Sequence, residues 1–116
     1  MASTECIFCR IAAGEIPAQV VREDEHTIAF RDINPQAPTH VLVIPKRHVP
    51  AVDALDDQDA ELIGRVVLAA RLVARQEGIA RSGYRLVMNN GPAAGQTVDH
   101  VHLHVLGGRQ MDWPPG

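Results

Sequence analysis

The segment His100-Val101-His102-Leu103-His104-Val105 alternates imidazole with aliphatic side chains. On a β-strand, successive side chains point to opposite faces, so the three imidazoles are expected on one face and the aliphatic residues in the core. A single histidine on such a face is most simply a solvated residue. This segment, however, holds three of the six histidines in the chain. The pattern therefore predicts a functional site in which histidine serves as nucleophile, proton carrier or metal ligand.

A glycine-bearing loop, predicted over residues 90–99, leads directly into the histidine segment. It contains Gly91 and Gly95, followed by the polar residues Gln96 and Thr97. Glycine lets backbone N–H groups approach an anion closely, and polar side chains beside it donate hydrogen bonds. The alternative is an ordinary connecting loop. Because the loop lies just before the histidine segment, we favour the phosphate-binding interpretation.

Outward from this site, the residue pattern predicts an α+β fold. Helices are expected over residues 6–13 and 56–77, and strands over residues 19–22, 27–31, 39–44, 84–89 and 101–106. In the long helix, apolar residues recur at helical spacing and Gly78 supplies the stop. The expected architecture is an antiparallel sheet with this helix packed on one face, in a single domain over residues 1–116.

The composition argues against several classes of protein. The net charge of -3 gives no general attraction to nucleic acid or acidic lipid. The longest apolar run, residues 41–45, is too short to span a bilayer, and residues 1–5 lack the character of a signal peptide. We therefore expect a cytoplasmic protein with no nucleic-acid or membrane partner, which holds any phosphate through local contacts.

The two cysteines, Cys6 and Cys9, form a Cys-x-x-Cys pair. In a reducing compartment this spacing indicates a metal site or a redox pair before a structural disulfide. The redox interpretation lacks the strand that precedes such a motif, and a simple reduced pair at a helix start is the remaining alternative. As metal ligands, the two thiolates supply half of a tetrahedral zinc site, so two further ligands must come from elsewhere in the chain.

The histidine segment matches the signature of the histidine triad (HIT) superfamily, in which each of three histidines precedes an aliphatic residue. The chain resembles the histidine triad nucleotide-binding protein branch over nearly its whole length. The matching segments are residues 32–40, 43–46, 95–97, 107–111 and 113–116. This resemblance implies a HIT-like α+β fold whose sheet extends across a symmetric homodimer. It also implies binding of purine nucleoside monophosphates and hydrolysis of the phosphorus–nitrogen bond of their phosphoramidates.

The resemblance also assigns roles to individual residues. His102 matches the family nucleophile, which forms a covalent nucleotidyl-histidine that water then hydrolyses. His104 matches a residue that contacts phosphate and shares proton transfer, and Thr97 stands at a catalytic position where serine is usual. The other nucleotide-binding positions are Asp32 for the ribose, Ile33 in the nucleoside pocket, and Asn89, Gly95 and Gln96, together with Thr97, for the phosphate.

A zinc site follows from the same resemblance. Bacterial members with the Cys-x-x-Cys pair complete the site with a histidine after Pro-Lys and with the first triad histidine. The matching ligand set here is Cys6, Cys9, His48 and His100. A structural zinc ion on these residues leaves His102 free for chemistry.

Several residues are left open at this level. Phe8, Ile11, Phe30 and Leu42 are either walls of a purine pocket or plain core. His40 has either a supporting or a direct role. The tail around Trp113 is a candidate to cross into a partner's active site.

Two other functions compete with the phosphoramidase. One is a nucleotidyltransferase or dinucleoside polyphosphate hydrolase of the same superfamily, which the carboxyl-terminal tail argues against. The other is a nucleotide-binding interaction scaffold without catalysis, and the intact triad argues against this as the sole role.

Overall fold

The structure, a computed structural model, describes residues 5–116. Its helices and strands, in chain order, are α1 (Ile7–Ala12), β1 (Val20–Glu23), β2 (Thr27–Arg31), β3 (Thr39–Pro45), α2 (Ala60–Gln76), β4 (Tyr84–Val87) and β5 (Leu103–Gly107). These elements confirm the predicted α+β class with five strands, one long helix and a short amino-terminal helix. Residues 1–4, most of the segment assessed for a signal peptide, lie outside the described range. Neither helix within that range is long and apolar enough to cross a membrane.

The five strands form one antiparallel sheet in the order β1-β2-β3-β5-β4. Strand β5 lies between β3 and β4, so His104 belongs to an inner strand. Its register pairs His104 with Leu42 of β3 and with Val87 of β4. Because the backbone groups of an inner strand are bonded on both sides, the position of His104 is fixed by the sheet itself.

The sheet is covered on both faces. The helical spacing of apolar residues in α2 buries Val66, Ala69, Ala70, Val73 and Ala74. These side chains pack against Val41 and Val43 of β3 and against Leu103 and Val105 of β5. Alternate residues of β3, Leu42 and Ile44, belong to a second cluster with Phe8 of α1, Ile28 and Phe30. Side chains alternate across a strand, so the two clusters lie on opposite faces, and their removal from water is the main stabilising contribution.

The long helix begins later than predicted. Its expected start at residue 56 is occupied by a cap, in which the Asp56 carboxylate accepts a hydrogen bond of 2.8 Å from the Gln58 N–H. The Asp56 N–H in turn donates to Asp59 Oδ2 at 3.0 Å. Residues Asp57–Asp59 form a 3-10 turn, and α2 starts at Ala60. Aspartate competes for nearby backbone N–H groups, which favours caps over helix interiors.

The strand that carries the histidine segment also begins later than predicted, at Leu103 rather than residue 101. The His100 N–H donates to the Val98 carbonyl at 2.8 Å, and the Val101 N–H donates to the Val49 carbonyl at 2.7 Å. These loop contacts replace strand pairing. His100 and His102 therefore precede the strand, whereas Val101, Leu103 and Val105 are buried as predicted.

Candidate active site and metal centre

The imidazole of His102 is held in one tautomer. Its Nδ1 lies 2.7 Å from the backbone carbonyl oxygen of His100. A carbonyl oxygen only accepts hydrogen bonds, so Nδ1 carries the proton and donates it. The other ring nitrogen, Nε2, then carries a lone pair. An unprotonated nitrogen in a defined orientation is what a nucleophilic histidine needs.

A hydrogen-bonded pair of imidazoles lies beside His102. The Gln36 N–H donates to His40 Nδ1 at 3.0 Å, so the proton of His40 is on Nε2. That Nε2–H donates to His104 Nδ1 at 2.8 Å. His104 therefore carries its own proton on Nε2. The ring centroids of His102 and His104 are 5.1 Å apart, so a ring with a free Nε2 lone pair neighbours a ring with an Nε2–H hydrogen-bond donor.

The carboxylate of Asp32 completes this arrangement. Its Oδ2 lies 3.4 Å from His40 Nε2, and its Oδ1 accepts a hydrogen bond of 2.8 Å from the Asn34 N–H. The residue patterns alone left the role of His40 open, and they missed Gln36. The useful signal was that both lie in the matching segment 32–40, but only the fold brings this segment to His104.

Burial favours the neutral forms of His40, His100 and His104. It lowers the pKa of His104 to about 4, and the neighbouring rings of His102 and His40 add to that effect. Burial also lowers the pKa of His40, against the opposing attraction of Asp32. It lowers the pKa of His100 as well. Neutral rings near physiological pH are the forms that the hydrogen-bond directions described above require.

The loop before the histidines is held in shape by Gln96. Its side-chain Nε2 donates to the carbonyls of Pro50 at 2.8 Å and Val98 at 3.1 Å. Its Oε1 accepts from the Gly91 N–H at 2.8 Å. These bonds describe a loop-holding role, so a direct contact of Gln96 with phosphate stays a prediction. Gly95 has a φ of +86°, in the left-handed region that glycine adopts readily.

The other predicted nucleotide-binding residues lie around the same cluster or on the surface. Thr97 is exposed and Asn89 is half-buried, on either side of the loop. Ile33 is fully exposed beside Asp32. Of the apolar residues left open above, Phe8, Phe30 and Leu42 are buried in the cluster on the α1 face. Ile11 packs against them and also lines a groove of about 380 Å³ between α1 and β1.

The four predicted zinc ligands lie close together in the structure. Their donor atoms, the sulfurs of Cys6 and Cys9 and one ring nitrogen each of His48 and His100, all lie within 4.8 Å of one another. Cys9 Sγ is 3.2 Å from His48 Nδ1, Cys6 Sγ is 3.4 Å from His100 Nδ1, and the two Nδ1 atoms are 3.2 Å apart. A zinc tetrahedron with bonds of about 2.3 Å to sulfur and 2.0 Å to nitrogen has such edges of roughly 3.3 to 3.5 Å.

The tautomer of His100 agrees with metal binding. Its Nε2 lies 2.8 Å from the Pro45 carbonyl oxygen and donates to it, which leaves a lone pair on the Nδ1 that faces both sulfurs. Metal-binding histidines commonly donate their second N–H to a backbone carbonyl in this way. The four residues therefore form a group that fits zinc.

Comparison with known proteins agrees with this geometry. The family model described as "HIT domain" matches residues 13–111. A "14 kDa zinc-binding protein" from Zea mays is 51% identical over 112 residues, which are 95% of this chain and 87% of that protein. The solved structure of a HIT family hydrolase from Legionella pneumophila is 54% identical with a TM-score of 0.95, covering 97% of this chain and 100% of that one. A HIT family hydrolase from Clostridium thermocellum is 47% identical with a TM-score of 0.92, covering 95% and 96%. With the family model matched over most of its length and its histidines arranged as described, the chain belongs to the histidine triad family.

Proposed function

We propose that this protein is a purine nucleoside phosphoramidase, which hydrolyses the phosphorus–nitrogen bond of a nucleoside 5′-phosphoramidate. The observation that carries the proposal is the pairing of a free Nε2 lone pair on His102 with an Nε2–H donor on His104, fixed by the bonds to His100 and His40. Family membership and the names of the two hydrolase structures support nucleotide hydrolysis in general. The phosphorus–nitrogen bond is the finer part of the proposal.

The reaction proceeds in two displacements. In the first, His102 Nε2 forms a bond to the α-phosphorus and the phosphorus–nitrogen bond breaks, while the leaving nitrogen accepts a hydrogen bond from His104 Nε2–H and takes one proton from solvent. The adduct on His102 is cationic, and His104 stays neutral beside it. In the second, water attacks phosphorus, the bond to His102 breaks, and the proton that water loses returns to solvent. The products are a nucleoside monophosphate and an amine.

Binding positions surround this reaction centre. We assign the phosphate to the loop of Asn89, Gly95, Gln96 and Thr97, where backbone N–H groups and a hydroxyl stabilise charge on the phosphoryl oxygens. We assign the ribose hydroxyls to Asp32, whose carboxylate keeps accepting capacity beyond its bond from Asn34. The base lies toward Ile33 and the α1 face.

We also propose a structural zinc ion on Cys6, Cys9, His48 and His100, in agreement with the name of the maize relative. Four protein ligands close a tetrahedral site, so the ion supplies cohesion between α1 and the catalytic segment rather than an open position for substrate. We further propose a homodimer that continues the sheet through β4. This is an edge strand with the exposed side chain of Leu86, and unpaired edges invite a partner strand.

The test of function is a direct comparison of substrates. Adenosine 5′-phosphoramidate, an amine-substituted analogue and diadenosine polyphosphate are each incubated with the protein, and the amine and nucleotide products are quantified. We expect release of amine and nucleoside monophosphate, with the dinucleotide hydrolysed far more slowly. Preferential cleavage of the dinucleotide would favour the polyphosphate hydrolase, and binding without turnover would favour the scaffold.

A further inference from the structure

We propose that the metal centre orients the nucleophile, so that occupancy of Cys6, Cys9, His48 and His100 determines how well the imidazole of His102 is positioned. The expected effect on turnover rests on the proposed function, whereas the positioning of the His102 ring by the metal centre does not. The positioning acts through the His100 carbonyl, the ring of Phe8 and the backbone at Val101.

The first connection is His100 itself. Its Nδ1 faces the two sulfurs, and its own carbonyl oxygen accepts the Nδ1–H of His102 at 2.7 Å. The ring is also anchored by its Nε2–H to the Pro45 carbonyl. The side chain of His100 is thus a candidate zinc ligand, and its backbone carbonyl selects the tautomer of His102. If His100 moves, the acceptor for His102 Nδ1 moves with it.

The second connection is Phe8, which lies on α1 between the two cysteines. Its ring lies nearly perpendicular to the ring of His102, with a centroid distance of 5.2 Å and an interplanar angle of 85°. It meets His100 at 6.0 Å in a similar geometry. Helix α1 has only six residues and is far too short to be stable alone, so its place depends on what anchors it. Ligation of both cysteines provides that anchor and holds Phe8 against the nucleophile.

The third connection runs through His48. The next residue, Val49, accepts the Val101 N–H at 2.7 Å, and Val101 separates the ligand His100 from the nucleophile His102. Strand pairing begins only at Leu103. The backbone that carries His102 is therefore held by contacts that converge on metal ligands, while His104 is held by the sheet. Loss of the metal should disturb His102 much more than His104.

The test is nitrogen NMR of ring-labelled histidines in the zinc-loaded and the chelator-treated protein, at a pH well above the ordinary histidine pKa. The His102 signals are identified by their loss in His102→Gln. With zinc, we expect one sharp His102 pattern with the proton on Nδ1; without zinc, we expect mixed tautomers or exchange broadening, with His104 little changed. Identical His102 signals in the two forms would overturn the proposal.

A variant that keeps all four ligands covers the case in which removal of zinc unfolds the protein. Phe8→Leu keeps a large apolar side chain but removes the aromatic contact with His102, and Ile28→Val in the same cluster is the matched control for a small loss of volume. Phe8→Leu should retain zinc and nucleoside monophosphate binding, show the altered His102 signals, and form the adduct more slowly by roughly tenfold to a hundredfold, as misplacement of a reacting group does. Wild-type His102 signals in Phe8→Leu would contradict positioning. If zinc orders His102 but no phosphoramidate is hydrolysed, only the proposed function fails.

Discussion

At the scale of single residues, one hydrogen bond decides what each imidazole can do. His102 and His104 are only two positions apart, yet His102 donates from Nδ1 to a carbonyl while His104 accepts at Nδ1 from His40. The same side chain is thus left with a lone pair at Nε2 in one case and a proton in the other. Chemically identical residues acquire different roles because their neighbours differ.

Substitution should separate these two roles. His102→Ala removes the attacking nitrogen, so turnover should fall by several orders of magnitude while nucleoside monophosphate still binds. His104→Ala keeps the attacking nitrogen and should form some adduct, with a smaller defect. Rapid quenching followed by mass analysis of the peptide containing His102 measures the adduct, and His26→Ala is the control, since His26 lies at a charged turn. Near-normal turnover of His102→Ala, or an adduct elsewhere, would rule out the assignment.

The buried His104 should also make stability depend on pH. Its pKa is lowered from 6.5 to about 4, so the unfolded chain binds a proton at a higher pH than the folded protein. The contribution of neutral His104 to the free energy of unfolding is therefore fully present above about pH 6.5 and is lost as the pH falls toward 4. Allowing for partial solvent exposure, we expect about 1 to 2 kcal/mol. Urea unfolding of wild type and His104→Asn across this range measures it, because the metal contribution cancels in the difference. Parallel pH curves would contradict the prediction.

At the scale of elements, α1 is a short helix whose position depends on three side chains at its amino-terminal end. Cys6 caps it and accepts from the Cys9 N–H at 3.4 Å, while Phe8 reaches the core between them. Neither helix length nor local sequence can stabilise six residues in water. The element exists because the metal group and the apolar cluster hold it against the sheet.

Removal of one ligand should therefore expose the contribution of the metal. Purified protein should contain about one zinc per chain, as a single four-ligand site requires. Cys9→Ser should lower the zinc content and the free energy of unfolding by a few kcal/mol, and it should respond less to chelator than wild type. Arg10→Ala is the matched control, because it changes an exposed residue of α1 and leaves all four ligands in place. A fully folded wild-type preparation free of metal would contradict the zinc assignment.

At the scale of the whole molecule, exposed apolar side chains lie outside the site. Leu68 of α2, Leu86 of β4 and Trp113 in the tail are all exposed in the single chain. The tail is held to β4 at Asp112, whose carbonyl oxygen accepts a hydrogen bond of 2.8 Å from the Arg85 side chain. Trp113 itself is 83% exposed, so its side chain is accessible to the second subunit of the proposed homodimer.

Deletion of residues 113–116 tests this arrangement. Because these residues are exposed, the folded state and the proposed dimer should remain, while turnover should change for at least some leaving amines if the tail completes the neighbouring site. Light scattering reports the oligomeric state, and kinetics across several amines report the site. Unchanged kinetics would remove the tail from catalysis. A monomeric product would assign the tail to assembly instead.

The sequence by itself predicted the fold class and the group of four candidate zinc ligands, both of which the structure confirms, whereas the reactive roles of His102 and His104 stay predictions. The alternation of residues 100–105 and the helical spacing in α2 are local patterns. Such patterns can be recognised without knowing which elements pack against them. The resemblance to the histidine triad family added Cys6, Cys9, His48 and His100, whose donor atoms the structure brings within 4.8 Å of one another.

Only the tertiary structure decided the tautomers, the pairing of His40 with His104, and the loop-holding bonds of Gln96. The last two depend on partners far away in the chain: Gln96 reaches the carbonyl of Pro50, and His40 reaches His104 across the β3–β5 pairing. The strand boundary at Leu103 was missed for the same reason, since the Val101 N–H bonds to Val49 instead of a strand. A hydrogen bond forms between the donor and the acceptor that the fold brings together, and the spacing of residues in the sequence does not predict that pair.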